Sequence, residues 1–266
     1  MANRPATAGF LAAALRLVKQ NCGPGASRTP AGPNDDNSVE RPLLHLLSQR
    51  AVVAEFRKNP DPFPRKTKLS TLRCTWKSHS HFIADLLRFG LSAIHYPVSR
   101  RLEVDTMADD AILGEDLVTA THRLCFFDLT GILNIPMFRL QLIAAASSEG
   151  DEVIQQALSE RYAETTEQWK IIYRRFLQDR GLRLRPDVGL DQVADLLSAV
   201  AEGLALRQIG DPNARVVDHV RQRSLLGTAA LALIIACLEP ADTGNGVSLE
   251  QAVRDKARRR SRTGAD

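Results

Sequence analysis

The stretch Leu69–Leu87, LSTLRCTWKSHSHFIADLL, decides how the rest of the chain is read. Its first half is basic and rich in hydroxyls; its second half carries apolar residues at helical spacing. Leu69, Leu72 and Trp76 lie three and four apart, so a helix over 67–76 places them together, facing inward. Lys66, Lys68, Arg73 and Lys77 are then left to neutralise phosphates, and Ser70 and Thr71 to donate to phosphates or base edges. Arg73 also has the forked donors that reach a guanine. Trp76 and Phe82 lock this short helix onto the next one. A basic surface turn held by a core tryptophan explains the same residues, so the surrounding chain has to decide between the two.

Charge favours the first reading. The chain's net charge is +4, but residues 1–81 hold 13 Lys/Arg against 5 Asp/Glu, residues 82–249 hold 16 against 23, and residues 250–266 hold 6 against 3. A basic front on an acidic body suits a head that meets nucleic acid and a body that does something else. At 266 residues the chain can bury a core as one large domain or two.

Working outward, residues 6–20 read as a helix with Phe10, Leu11, Ala14, Leu15 and Val18 on one face, ended by the Gly and Pro of Asn21–Gly25. Residues 22–40 are loop-like in composition. Residues 38–58 read as a helix that Ser38 can cap, with Pro42 in its first turn and Leu43, Leu46, Leu47, Val53 and Phe56 inside. The segment 59–66, NPDPFPRK, carries three prolines and must be a loop. From Ser80 the pattern is almost continuously helical: Ser80–His95, Asp109–Thr130, Met137–Ser147 and Glu152–Gln178, then a helix within 182–212 and a last helix over 215–238. The second half of that last helix is apolar nearly all round, which requires burial on every side. Residues 241–266 show no periodicity and read as a disordered basic tail; its RRRSR run suits weak, salt-sensitive attraction to DNA.

Two motifs in this order resemble the TetR family of transcriptional regulators. Thr71, Leu72, Arg73, Trp76, Ser78, His79 and Phe82 match the pattern T-L-Y-x-x-W/F-x-S-K-x-x-F/L that closes that family's DNA-binding head. Arg73 stands where the family has tyrosine, and His79 where it has lysine. Arg185, Asp187, Ala194, Leu197, Gly203, Leu204, Asp211 and Pro212 match the turn and penultimate helix of the body. The helix over 6–20 is similar to the family's first helix, although a terminal packing helix would look alike. The insertion at 22–40 and the proline-rich loop at 59–66 depart from the family, whose turns there are short.

The resemblance implies an all-α fold. A three-helix, helix-turn-helix-like head would span residues 1–80, with the loop insertion at 22–40. A helical ligand-binding and dimerisation domain would span 81–240, followed by the tail at 241–266. It also implies a homodimer formed through helices near 190–209 and 215–238, where Gly227, Ala229, Ala230 and Ala232 permit close packing. Two heads on one dimer would read double-stranded DNA at a palindromic operator. Ser80–His95 would connect the domains and couple ligand to DNA. A repressor released by a small lipophilic effector is the family's default.

Phe127, Met137, Phe138, Leu142, Trp169 and Tyr173 are candidates to line the effector pocket; each also suits plain core. The residues themselves offer no catalytic signature: HExxH, GxSxG and a phosphate-cradling glycine loop are all missing from the sequence. No cofactor is expected, and the six histidines are not at ligand spacing. Asp109/Asp110 and Glu115/Asp116 read as solvated helix starts. Cys22, Cys74, Cys125 and Cys237 are too scattered for a disulfide framework or a structural zinc site, which with the lack of a targeting or membrane-spanning segment points to the cytoplasm. The alternative function is a helical dimeric binding protein whose degenerate head no longer reads DNA.

Overall fold

The protein is all-α, and among the described residues only short two-stranded ladders accompany the helices. The computed structural model describes residues 5–22, 45–58, 68–91, 104–109, 116–242, 244 and 246–262. Most of the 22–40 insertion, the 59–66 loop and Lys66 lie outside these residues. In chain order the helices are α1 (Pro5–Cys22), α2 (Gln49–Lys58), α3 (Leu69–Thr75), α4 (His79–Gly90), α5 (104–109), α6 (Leu117–Asn134), α7 (Pro136–Ala146), α8 (Glu152–Asp179), α9 (Leu190–Gly210), α10 (Leu225–Cys237) and α11 (Leu249–Arg262). Two compact units emerge, Met1–Val98 with Leu133–Tyr162 and Ser99–Ile132 with Ala163–Asp266.

The first unit is built on the apolar stripe of α1. Phe10, Leu11, Ala14, Leu15 and Val18 are all buried there, as their spacing predicts. Phe10 meets Phe56 of α2 with ring centroids 5.1 Å apart, and Trp76 edge-on at 6.2 Å. Arg16 of α1 reaches Glu55 of α2 at 3.1 Å, a contact that shields a carboxylate only 3% exposed. Of the expected helix over 38–58, residues 45–58 are described, and they are not one continuous helix. A 3-10 turn at His45–Leu47 precedes Ser48, whose hydroxyl accepts from the Ala51 N–H at 3.4 Å and starts α2. Ser48 caps the helix that packs on α1, because its oxygen meets an N–H otherwise left without a partner; Ser38 and Pro42, expected in the first turn of a longer helix, lie outside the described residues.

This unit does not end after residue 80, as the sequence suggested. α4 lies wholly within it, and α7 joins it. Met137, Leu140 and Ala144 of α7, with Ile154 and Leu158 of α8, complete the same core as Phe10 and Trp76. Gly90 of α4 makes this approach possible, since a Cβ there would lie 2.6 Å from the Met137 Cε. Hydrophobic spacing shows that α7 has an apolar face but not which helix covers it.

In the second unit the expected helix over 215–238 is two structures. Val217–Asp218 and Arg223–Ser224 form an antiparallel pair, and only Leu225–Cys237 is helical. The Asp218 carboxylate accepts from the N–H groups of Val220 and Arg221, both at 3.0 Å, and Gln222 takes a φ of 51°. These local bonds hold a turn where helix would otherwise continue. Ser224 then caps α10 through the Gly227 N–H at 3.4 Å.

The tail expectation also fails. Leu182–Leu184 pairs antiparallel with Leu238–Pro240. On this ladder, buried Glu239 takes Arg183 at 2.9 Å and Arg185 at 3.4 Å. Arg185 also donates to the Ala236 carbonyl at 2.6 Å and the Val247 carbonyl at 3.0 Å. Asp187 accepts from the Leu249 N–H at 2.8 Å, and Ser248 from the Gln251 N–H at 3.2 Å. The chain is thus clasped where α11 begins, and α11 starts from two caps rather than remaining disordered. Among the described residues, no single helix is long and apolar enough to cross a membrane.

Candidate nucleic-acid interface

The short helix α3 has two unlike faces. Leu72 is sealed inside and Leu69 packs partly against the same core. Trp76 follows directly, and its ring meets Phe82 edge-on at 5.0 Å. Its indole N–H donates to Asp85 at 2.9 Å. Asp85 pairs with Arg88 at 3.4 Å, and Arg88 with Glu160 at 2.7 Å. The Glu160 contact raises the Arg88 pKa, and Arg88 in turn lowers that of Glu160. A run of polar contacts thus fixes the tryptophan's orientation from α4 and α8. Neither Asp85 nor Glu160 stood out in the sequence, although an indole N–H buried near a helix calls for an acceptor.

Lys68, Ser70, Arg73 and Lys77 are exposed, and Thr71 is half-buried. Five of the six residues expected to contact DNA are therefore described, and the four exposed ones lie along or beside α3. Arg73 is partly engaged: its Nε–H donates to Gln49 at the start of α2, at 3.0 Å. That bond orients the guanidinium and leaves its terminal amino groups without a partner among the described residues. Gln49 is the positioning group that the sequence did not reveal.

Behind α3, Ser78 caps α4 through the His81 N–H at 3.2 Å. Asp151 accepts a bond from Ser80 that lowers its pKa, fastening the front of α4 to the turn before α8. His79, at the position where the family pattern has lysine, lies against Phe82 with centroids 5.9 Å apart, and burial lowers its pKa.

The six residues expected to line an effector pocket divide between the units. Met137, Phe138 and Leu142 belong to the first, and Met137 and Phe138 are buried there. Met137 is core, committed to Gly90. Phe127, Trp169 and Tyr173 belong to the second unit. Trp169 and Tyr173 stack at 5.9 Å with an interplanar angle of 22°. Burial raises the Tyr173 pKa, with smaller contributions from Asp128 and Cys125. Phe126, next to Phe127, meets His219 edge-on at 5.7 Å.

A second surface stands out on α9 and α10, which pack on one another. On α9, Ala194, Ala201 and Ala205 are buried, while Leu196, Ala199, Gly203 and Leu206 are exposed at steps of three, four and three. On α10, Leu225, Thr228, Ala232 and Ile235 are exposed with the same steps. Ile235 is 72% exposed and Leu206 52%. A Cβ on Gly203 would meet nothing within 4 Å, so this glycine does not serve packing within its own unit.

No protein-family model matches this chain, and no curated protein and no solved structure matches it.

Proposed function

We propose that the protein is a homodimeric, TetR-like transcriptional regulator that binds double-stranded DNA through α3 and responds to a small lipophilic effector, by default as a repressor. The observation that carries this reading is the division of α3. Its apolar side is fixed by Leu72 and an oriented Trp76, while Lys68, Ser70, Arg73 and Lys77 are exposed beside it. Cations and hydroxyls on a rigidly backed helix are what phosphate and base-edge contacts require. The exposed stripes of α9 and α10 suit a second copy, because small residues at intermediate steps let helices approach closely while leucine and isoleucine supply the apolar area. The effector would be recognised by the aromatic residues of the second unit, with Trp169 and Tyr173 supplying the stacked surface.

The test is fluorescence anisotropy with the DNA upstream of the protein's own coding sequence, a scrambled duplex as control, and a salt series. Selective binding that falls steeply with salt supports the reading. Arg73→Ala should weaken it by about 1–3 kcal/mol if the arginine reads a base. Equal, weak binding to both duplexes, unaffected by Arg73→Ala, would instead favour a helical binding protein whose head no longer reads DNA.

A further inference from the structure

Helix α11 is formed yet leaves its middle turns in solvent. It runs over Leu249–Arg262, and residues 253–258 are all exposed. Its root is held by the clasp of Arg185, Asp187, Glu239 and Ser248. Gly246 is part of that fit, since a Cβ there would lie 2.2 Å from a Glu239 carboxylate oxygen. Along the helix the charges separate. Arg254 pairs with Glu250 at 2.8 Å, and Asp255 accepts from Gln251 at 2.8 Å, so the first half satisfies itself. From Lys256 onward the helix carries Lys256, Arg258, Arg259, Arg260 and Arg262 and no acidic residue.

Cations near a helix C-terminus interact favourably with its dipole, which explains one or two of them. Five within seven residues of sequence carry like charge, and a helix of this length whose residues 253–258 are all exposed is marginal by itself. Such a helix gains most from a polyanion that replaces repulsion with attraction. The geometry points to α11 as a second nucleic-acid contact, a clasped basic helix that binds duplex phosphates without reading sequence. This rests on the proposed DNA-binding function only for the choice of polyanion. The chain's other basic excess is in the head, where α3 adds hydroxyls to its cations; α11 has cations without such donors beyond Ser261.

The experiment compares the full chain with a variant carrying Lys256→Gln, Arg258→Gln, Arg259→Gln, Arg260→Gln and Arg262→Gln, on a random-sequence duplex across a salt series. Lys256 and Arg258 are exposed, and the bonds of the clasp are made by Arg185, Asp187, Glu239 and Ser248. The variant should bind at least about tenfold more weakly at low salt, and its log affinity against log salt should flatten by about 2–4, since each lost phosphate contact removes about 0.9 from the slope. Exchanging the four arginines for lysine should restore both. In the wild-type chain, bound duplex should also protect Lys256 from acylation, a readout that does not depend on any variant folding. Unchanged affinity and slope with unprotected Lys256 would overturn the inference, even if operator selectivity through α3 is intact. Loss of binding in the glutamine variant of a protein with no sequence selectivity would uphold α11 while removing the regulator reading. Binding of polyglutamate but not duplex, lost in the same variant, would assign the helix to an acidic protein and overturn it.

Discussion

In the first unit Phe10, Phe56, Leu72, Phe82 and Leu86 are all but sealed from water. In the second, the residues sealed along α9 are Ala194, Ala201 and Ala205, while Leu196 and Leu206 of the same helix are half exposed. Leu129 and Leu226 are large and buried in the second unit too, so it has a core. Its helices α9 and α10 nevertheless bury mainly alanines and leave Leu196, Leu206, Leu225 and Ile235 exposed. Apolar area left in water is unfavourable by roughly 25 cal/mol per Å², and two such stripes are not incidental. The first unit buries these large side chains; the second leaves apolar stripes of α9 and α10 in water, and a second copy is the occupant proposed above.

Substitutions put this contrast to the test. Trp76→Ala should have the largest effect. It removes a buried ring and leaves Asp85 without its indole donor, so stability in urea should fall by about 3–5 kcal/mol. A loss below about 1 kcal/mol would show that the aromatic cluster is not what holds the head. Gly227→Ala probes the close packing of the second unit. The new Cβ would lie 2.5 Å from the His122 Nδ1 and 3.2 Å from its Cα, so backbone must move as well as a side chain. A loss of about 1–3 kcal/mol is expected, and a stability equal to wild type would show that α6 and α10 are not in tight contact.

Leu206→Asp should barely change the fold of a chain but should raise the dimer dissociation constant at least about tenfold in sedimentation equilibrium. The smallest effect concerns Cys125, whose thiol is pushed up to about 12 by burial, with the Asp128 carboxylate adding to it. Because the folded value lies above the ordinary one of 9.0, the folded chain holds this proton longer as pH rises. The thiol's contribution is therefore whole below about 9 and is lost on the way to about 12. The stability difference between wild type and Cys125→Ala should be flat at neutral pH and shrink only above about 9. A change between pH 6 and 8 would contradict the burial of this group.

The helical class, α1, α4, α7 and α8 were all legible, because apolar residues at steps of three and four identify a buried face whatever covers it. What lay hidden is of two kinds. One is local competition for the backbone. Ser48 starts a helix inside a segment whose periodicity runs through it, and Asp218 folds a turn inside a segment that reads as helix. The other is contact across long sequence separations. Arg183 and Arg185 meet Glu239 more than fifty residues later, and with Asp187 they root a helix whose composition alone resembles a disordered tail. At the candidate interface the exposed cations and hydroxyls could be read from the pattern around Trp76. Gln49, which orients Arg73 from another helix, could not.

The most direct test of the central claim is selection from a random duplex library with the purified full-length chain. A dimer that reads DNA through α3 should enrich an inverted repeat with half-sites about one helical turn apart, or a multiple of it, and Arg73→Ala should relax the preferred base within each half-site. Recovery of duplexes with no common sequence, under conditions where the protein is folded and bound, would contradict it.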